Sequence, residues 1–164
     1  CSSCTNFFIG SSDFYVSGIN DLISEPNFIE DFKFNDPIIL LSSDFVAIYN
    51  ESFHAEQLGY INICGAGYRK SLEFLVKKYA IHTHPKDEET IAKQTLSQSI
   101  NNYIENPKIK ALASSSAWIG NDEIHYIKKH DDKSYIDMKH FIKAMVSYIE
   151  MELTVEEAAS IPSK

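Results

Sequence analysis

Tyr60-Ile-Asn-Ile-Cys-Gly-Ala-Gly-Tyr-Arg-Lys-Ser-Leu-Glu-Phe-Leu-Val-Lys-Lys-Tyr79 is the stretch that decides the fold. Ile61, Cys64, Tyr68, Leu72, Leu75 and Tyr79 recur at steps of three and four. That spacing places them on one side of an α-helix and predicts a long amphipathic helix over residues 60–79. Arg69, Glu73 and Lys77 form a second row at i, i+4 spacing, on the face away from Leu72. Glu73 preceding Lys77 is the favourable order for a helical ion pair.

The helical pattern continues on both sides. Upstream, Ser43 reads as an N-cap for a helix from Asp44 to Leu58, with Phe45, Ile48, Tyr49, Phe53 and Gln57 inward and Gly59 as its stop. Downstream, His82-Thr-His84-Pro85 reads as a loop. A third helix should start near Pro85, with Asp87, Glu88 and Glu89 in its first turns and Ile91, Leu96, Ile100 and Ile104 inward. Asn106 and Pro107 read as the N-cap and first residue of a fourth helix, which breaks or kinks at Trp118-Ile-Gly-Asn121. Asp131-Asp132 is a turn. A last helix spans about Tyr135–Glu152, with Ile136, Met138, Phe141, Ile142, Met145 and Ile149 inward. Thr154-Val-Glu-Glu157 spells a capping box for a separate short turn. Residues 1–41 read differently. Phe7-Phe-Ile9, Phe14-Tyr-Val16 and the alternation Phe32-Lys-Phe34 suggest short strands, interrupted by Pro26 and Pro37. The expected fold is mainly α: an antiparallel bundle of four to five helices over residues 42–164, with a small β/loop appendage over residues 1–41.

With 164 residues, 44% of them hydrophobic and 23% charged, the chain has the composition of one globular domain, not of a disordered or collagenous chain. No apolar run approaches the roughly 20 residues of a membrane span. Net charge is −8, unevenly spread. Residues 1–60 hold one base and nine acids, whereas residues 61–147 hold thirteen bases and ten acids. The whole chain therefore lacks the field of a non-specific nucleic-acid binder, while its middle can carry a local basic site.

Three cysteines make no disulfide framework, so a reducing cytoplasm is the expected compartment. The chain starts at Cys1. Trimming upstream accounts for that better than an acylated lipoprotein terminus, because a second cysteine follows three residues later. Cys1-Ser-Ser-Cys4 has the spacing of a zinc knuckle but supplies half a tetrahedral site. No cofactor is expected, and zinc enters only if a second ligand pair lies upstream. His82 and His84 form another conceivable pair, and Cys64 falls on the apolar stripe. Nucleotide loops, zincin motifs and nucleophile elbows are absent from the sequence.

Two segments, Gly65–Tyr79 and Ala117-Trp-Ile-Gly-Asn-Asp-Glu-Ile-His-Tyr126, together resemble a bacterial family of unknown function, numbered 4145. Its members are similar to the helical HEPN superfamily of nucleotide- and RNA-associated domains. The family's R-x-x-L-E falls on Arg69, Leu72 and Glu73, and its G-N-x-x-x-H falls on Gly120, Asn121 and His125. The resemblance covers about residues 44–150. It implies a four- to five-helix bundle, often a homodimer, that binds RNA or a nucleotide in a phage-defence or restriction setting. It also implies a polar site made by Arg69, Glu73, Asn121 and His125, in which Glu73 holds Arg69 and Asn121 fixes the His125 ring. Catalytic HEPN domains are metal-independent endoribonucleases with R-x(4–6)-H on one helix. No arginine precedes His125 at that spacing, and Arg69 is the only arginine of the chain. The expectation is a non-catalytic RNA-, nucleotide- or protein-binding module. The alternative is an endoribonuclease in which His125 transfers protons and Arg69 stabilises phosphate charge.

Overall fold

The stripe from Ile61 becomes one helix of 23 residues, Ile61–Thr83, at the centre of a computed structural model that describes residues 29–162. Seven α-helices are present among the described residues, with no strand. They are α1 (Asp36–Leu41), α2 (Ser43–Gln57), α3 (Ile61–Thr83), α4 (Glu88–Lys93), α5 (Leu96–Tyr103), α6 (Pro107–Ile124) and α7 (Tyr135–Ala159), with a 3-10 turn over Pro85–Asp87. The molecule is a helical bundle. None of these helices is long and apolar enough to cross a membrane.

Helix α3 touches every other helix and carries the middle of the core. Cys64, Tyr68, Leu72, Leu75 and Tyr79 are buried, as the three-and-four spacing requires, while Ile61 at the helix start is exposed. Gly59 has φ +78°, a left-handed conformation that lets the chain reverse between α2 and α3 without strain. Helices α6 and α7 form the other extensive helix pair, and Ile109, Ala113, Met138, Ile142, Met145 and Ile149 are buried with the α3 stripe. A polar knot ties three helices together. Lys139 of α7 reaches both carboxylate oxygens of Glu56 on α2, at 2.5 and 2.7 Å, and the Tyr68 hydroxyl of α3 donates to the same carboxylate at 2.5 Å.

Several boundaries differ from the sequence reading. The N-cap of α2 is Ser42, whose hydroxyl accepts from the Phe45 amide at 3.2 Å, not Ser43. His82 and Thr83 continue α3 instead of forming a loop. The Thr83 hydroxyl bonds back to the carbonyls of Tyr79 and Ala80, and the helix ends at His84, before Pro85. The expected third helix is two helices, because Thr95 and Gln98 form a reciprocal capping box that starts α5 afresh. Helix α6 runs unbroken through Gly120 and Asn121. Helix α7 runs through Thr154, whose hydroxyl donates back to the Glu150 carbonyl at 2.8 Å instead of capping a new turn. Ile136 lies in the first turn of α7 and is exposed.

Within the expected β/loop appendage, Asp36–Leu41 is helical, with Pro37 in its first turn, where a proline costs no hydrogen bond. Phe32 and Phe34 precede α1 and form no strand. The Phe34 ring sits edge-on to Phe45 and Tyr49 at centroid distances of 5.0 Å, the Phe32 ring is tilted against Tyr49 at 5.5 Å, and the Phe32 amide donates to Asn50 Oδ1 at 2.8 Å. Aromatic burial, not sheet pairing, holds this segment down. The expected strands at Phe7–Ile9 and Phe14–Val16 lie outside the described residues.

Candidate functional site

Arg69 and Glu73 stand one turn apart on α3. Their partner on α6 is Asn121, 52 residues downstream of Arg69. Arg69 Nε donates to Asn121 Oδ1 at 3.3 Å, and Arg69 Nη1 lies 3.6 Å from Glu73 Oε2. Lys77 Nζ closes on the other Glu73 oxygen at 2.8 Å. The i, i+4 ion-pair row and the polar meeting of two helices are therefore the same structure. Burial lowers the Arg69 pKa, and the Glu73 carboxylate opposes that shift. The guanidinium stays charged in any case.

Gly120 makes the meeting possible. A Cβ there would lie 2.4 Å from Arg69 Cδ and 3.0 Å from Arg69 Cβ and Met138 Sδ. The glycine that reads as a helix breaker is a contact residue, letting the Arg69 stem lie flat against α6.

His125 is the C-cap of α6, and its amide donates to the Asn121 carbonyl at 3.2 Å. Its ring has no hydrogen-bond partner among the described residues. The Asn121 side chain is turned to Arg69, so it does not fix the His125 ring as the sequence led us to expect. Two adjacent recesses result. One, of about 240 Å³, is lined by Arg69, Asn101, Ser97, Ser114, Trp118 and Asn121. The other, of about 210 Å³, is lined by Trp118, Asn121, His125, Lys129 and His130, with Asp122 at its floor. Trp118 and Asn121 are common to both.

Two of these participants were not legible as site residues. Asp122 is buried at the last turn of α6. One of its oxygens accepts from the His130 amide at 2.8 Å and sits 2.7 Å from His130 Nδ1. Burial pushes its carboxyl pKa up, but the His130 ring and the amides of Lys129 and His130 outweigh that and hold it below the usual carboxylate value. Trp118 is 56% exposed, and its ring lies nearly parallel to His130, at 12° and 6.5 Å between centroids. An Asp and a His eight residues apart across a helix end follow no helical or strand period, so no sequence pattern announces them.

Other polar groups are committed elsewhere. A larger recess of about 570 Å³ lies between α3, α6 and α7, but its Glu152 is engaged by Tyr79 and Asn106, its Lys108 lies over the Tyr148 ring, and Glu156 takes His82. These groups satisfy one another across helix ends, and the acidic wall repels anions. Cys64 is a buried thiol whose pKa is raised by burial first and by Glu56 and Glu123 next, which disfavours the thiolate that binds metal. Among the described residues no group of three His, Cys, Asp or Glu could hold a metal ion. Cys1 and Cys4 lie outside the described residues. Comparison with protein-family models, curated proteins and solved structures finds no match to this chain.

Proposed function

We propose that this protein is a HEPN-like binding module that takes single-stranded RNA or a nucleotide at the Arg69–Trp118–Asn121 face, and that it binds its ligand without cleaving it. The observation that carries this reading is the mounting of Arg69. Glu73 and Asn121 hold the guanidinium at the mouth of a recess whose wall is the exposed ring of Trp118. A fixed guanidinium matches phosphate geometry, and an aromatic face beside it accepts a base by stacking. The serines and asparagines that line the recess add neutral donors and acceptors without repelling phosphate. Both helices come from residues 61–147, the part of the chain in which bases outnumber acids.

The endoribonuclease reading draws less support. A general acid–base histidine is normally oriented by a second group, and the His125 ring has no such partner among the described residues.

The test is binding of a labelled single-stranded RNA oligonucleotide in the presence of chelator, with the RNA recovered and sized afterwards. Arg69→Ala should weaken binding about 10- to 100-fold, the range of about 1.5–3 kcal/mol for a hydrogen bond to a charged group. The fold should survive, because Glu73 keeps Lys77 as a partner. His125→Ala should weaken binding less. Unchanged binding in Arg69→Ala would reject the site. Cleavage in chelator that disappears in His125→Ala would replace the binding reading with the ribonuclease one.

A further inference from the structure

The two recesses share Trp118 and Asn121 in their linings. Trp118 and Asn121 stand at i and i+3 on one face of α6, and His125 follows four residues later as its C-cap, with extended backbone. From Asn121, where Arg69 is bound, to His125 the helix rises about 6 Å, which is comparable to the step between successive phosphates on an extended strand. The Arg69 recess offers a guanidinium. The His125 recess offers Lys129, which forms no ion pair among the described residues, together with the imidazoles of His125 and His130. The one carboxylate at that recess, Asp122, is buried and spent on the His130 ring and backbone. Lys128, by contrast, is paired with Glu123 at 3.1 Å. Each recess, at about 240 and 210 Å³, falls below the roughly 300 Å³ at which small-molecule sites begin. The two joined across Trp118 exceed it.

We infer that these recesses are two anion subsites on either side of the Trp118 platform, so that the ligand is a nucleoside carrying phosphate on both its 5′ and 3′ sides. An internal nucleotide of a single strand has that chemistry, and so does a free nucleoside 3′,5′-bisphosphate. The inference rests on the binding role proposed above for Arg69 and Trp118, and adds Lys129 as the residue that selects two phosphates over one. His130 positions the loop that carries Lys129, through its hold on Asp122.

The experiment titrates the full chain with adenosine 5′-monophosphate, adenosine 3′,5′-bisphosphate and a short 5′-phosphorylated oligoadenylate. The bisphosphate should bind at least tenfold more tightly than the monophosphate. Lys129→Ala should shrink that ratio to within about threefold, and the exposed position of Lys129 makes a folding defect in this variant easy to exclude by circular dichroism. Equal affinity for monophosphate and bisphosphate in the wild type would overturn the two-subsite inference while leaving the Arg69 site standing. So would a ratio that survives Lys129→Ala. Failure of all three ligands to bind would overturn the binding role itself. An oligoadenylate that binds more tightly than the bisphosphate assigns the site to a strand, and equal affinity assigns it to the free bisphosphate.

Discussion

Gly120 is the residue on which the Arg69 site depends. Replacing it with alanine would drive a Cβ to within 2.4 Å of Arg69 Cδ, so either the arginine stem or the α3–α6 crossing must move. Overpacking of this kind costs about 1–3 kcal/mol. Gly120→Ala should therefore lower stability by that amount and weaken ligand binding together. A variant with wild-type stability and wild-type binding would show that Arg69 does not lie against α6. Asp122 invites a test by pH. Its carboxyl pKa is depressed in the folded chain, so the charged form adds stability above the unfolded value of about 3.9 and loses it as pH falls through the lower folded value. Asp122→Asn should be less stable than the wild type near pH 7, and the gap should close as pH drops below about 4. A gap that stays constant from pH 7 to pH 3 would mean that the Asp122 charge does not hold His130. Arg69, Glu73 and Asn121 were legible as a group through the family resemblance that the two short motifs carry; the residue pattern alone shows only an i, i+4 ion-pair row at Arg69, Glu73 and Lys77. The side-chain direction of Asn121 was not legible, since the choice between Arg69 and the His125 ring is made by helix packing.

At the scale of elements, α3 carries the middle of the core and touches every other helix. Leu72 is fully buried at the middle of its stripe, and Leu72→Ala should cost about 2–5 kcal/mol in a denaturant titration. A loss below about 0.5 kcal/mol would place the stripe outside the core. Helix interiors were readable because the 3.6-residue period is written in apolar side chains. Helix ends were read less well, because they turn on competition between local hydrogen bonds. Thr95 caps a helix with Gln98, whereas Thr154, with the same kind of signature, bonds back to Glu150 inside one. Glycine was misread in a similar way. Gly59 ends a helix through its positive φ, but Gly120 keeps helical geometry and serves close packing. The alternation Phe32-Lys-Phe34 reads as a strand, but none forms at these residues. Its partner is an aromatic cluster on α2 and not a second strand, which no period-two pattern distinguishes.

Across the whole molecule, the charge distribution and the bundle agree. A chain of net charge −8 can bind a phosphate ligand when thirteen of its fifteen lysines and arginines lie between residues 61 and 147, the part from which the helices that meet at Arg69 come. Binding at such a local site should weaken with salt, in proportion to the few phosphates engaged. Trp118 is the only tryptophan of the chain, so tryptophan emission reports on the proposed platform directly. The decisive measurement is a titration of that emission with short single-stranded RNA at low salt, run alongside fluorescence anisotropy of the labelled RNA. Trp118 emission should be quenched saturably and in step with the anisotropy change, with both lost in an Arg69→Ala variant whose circular dichroism is unchanged. RNA that binds without altering Trp118 emission, or no binding to the wild-type chain, would contradict the proposed platform.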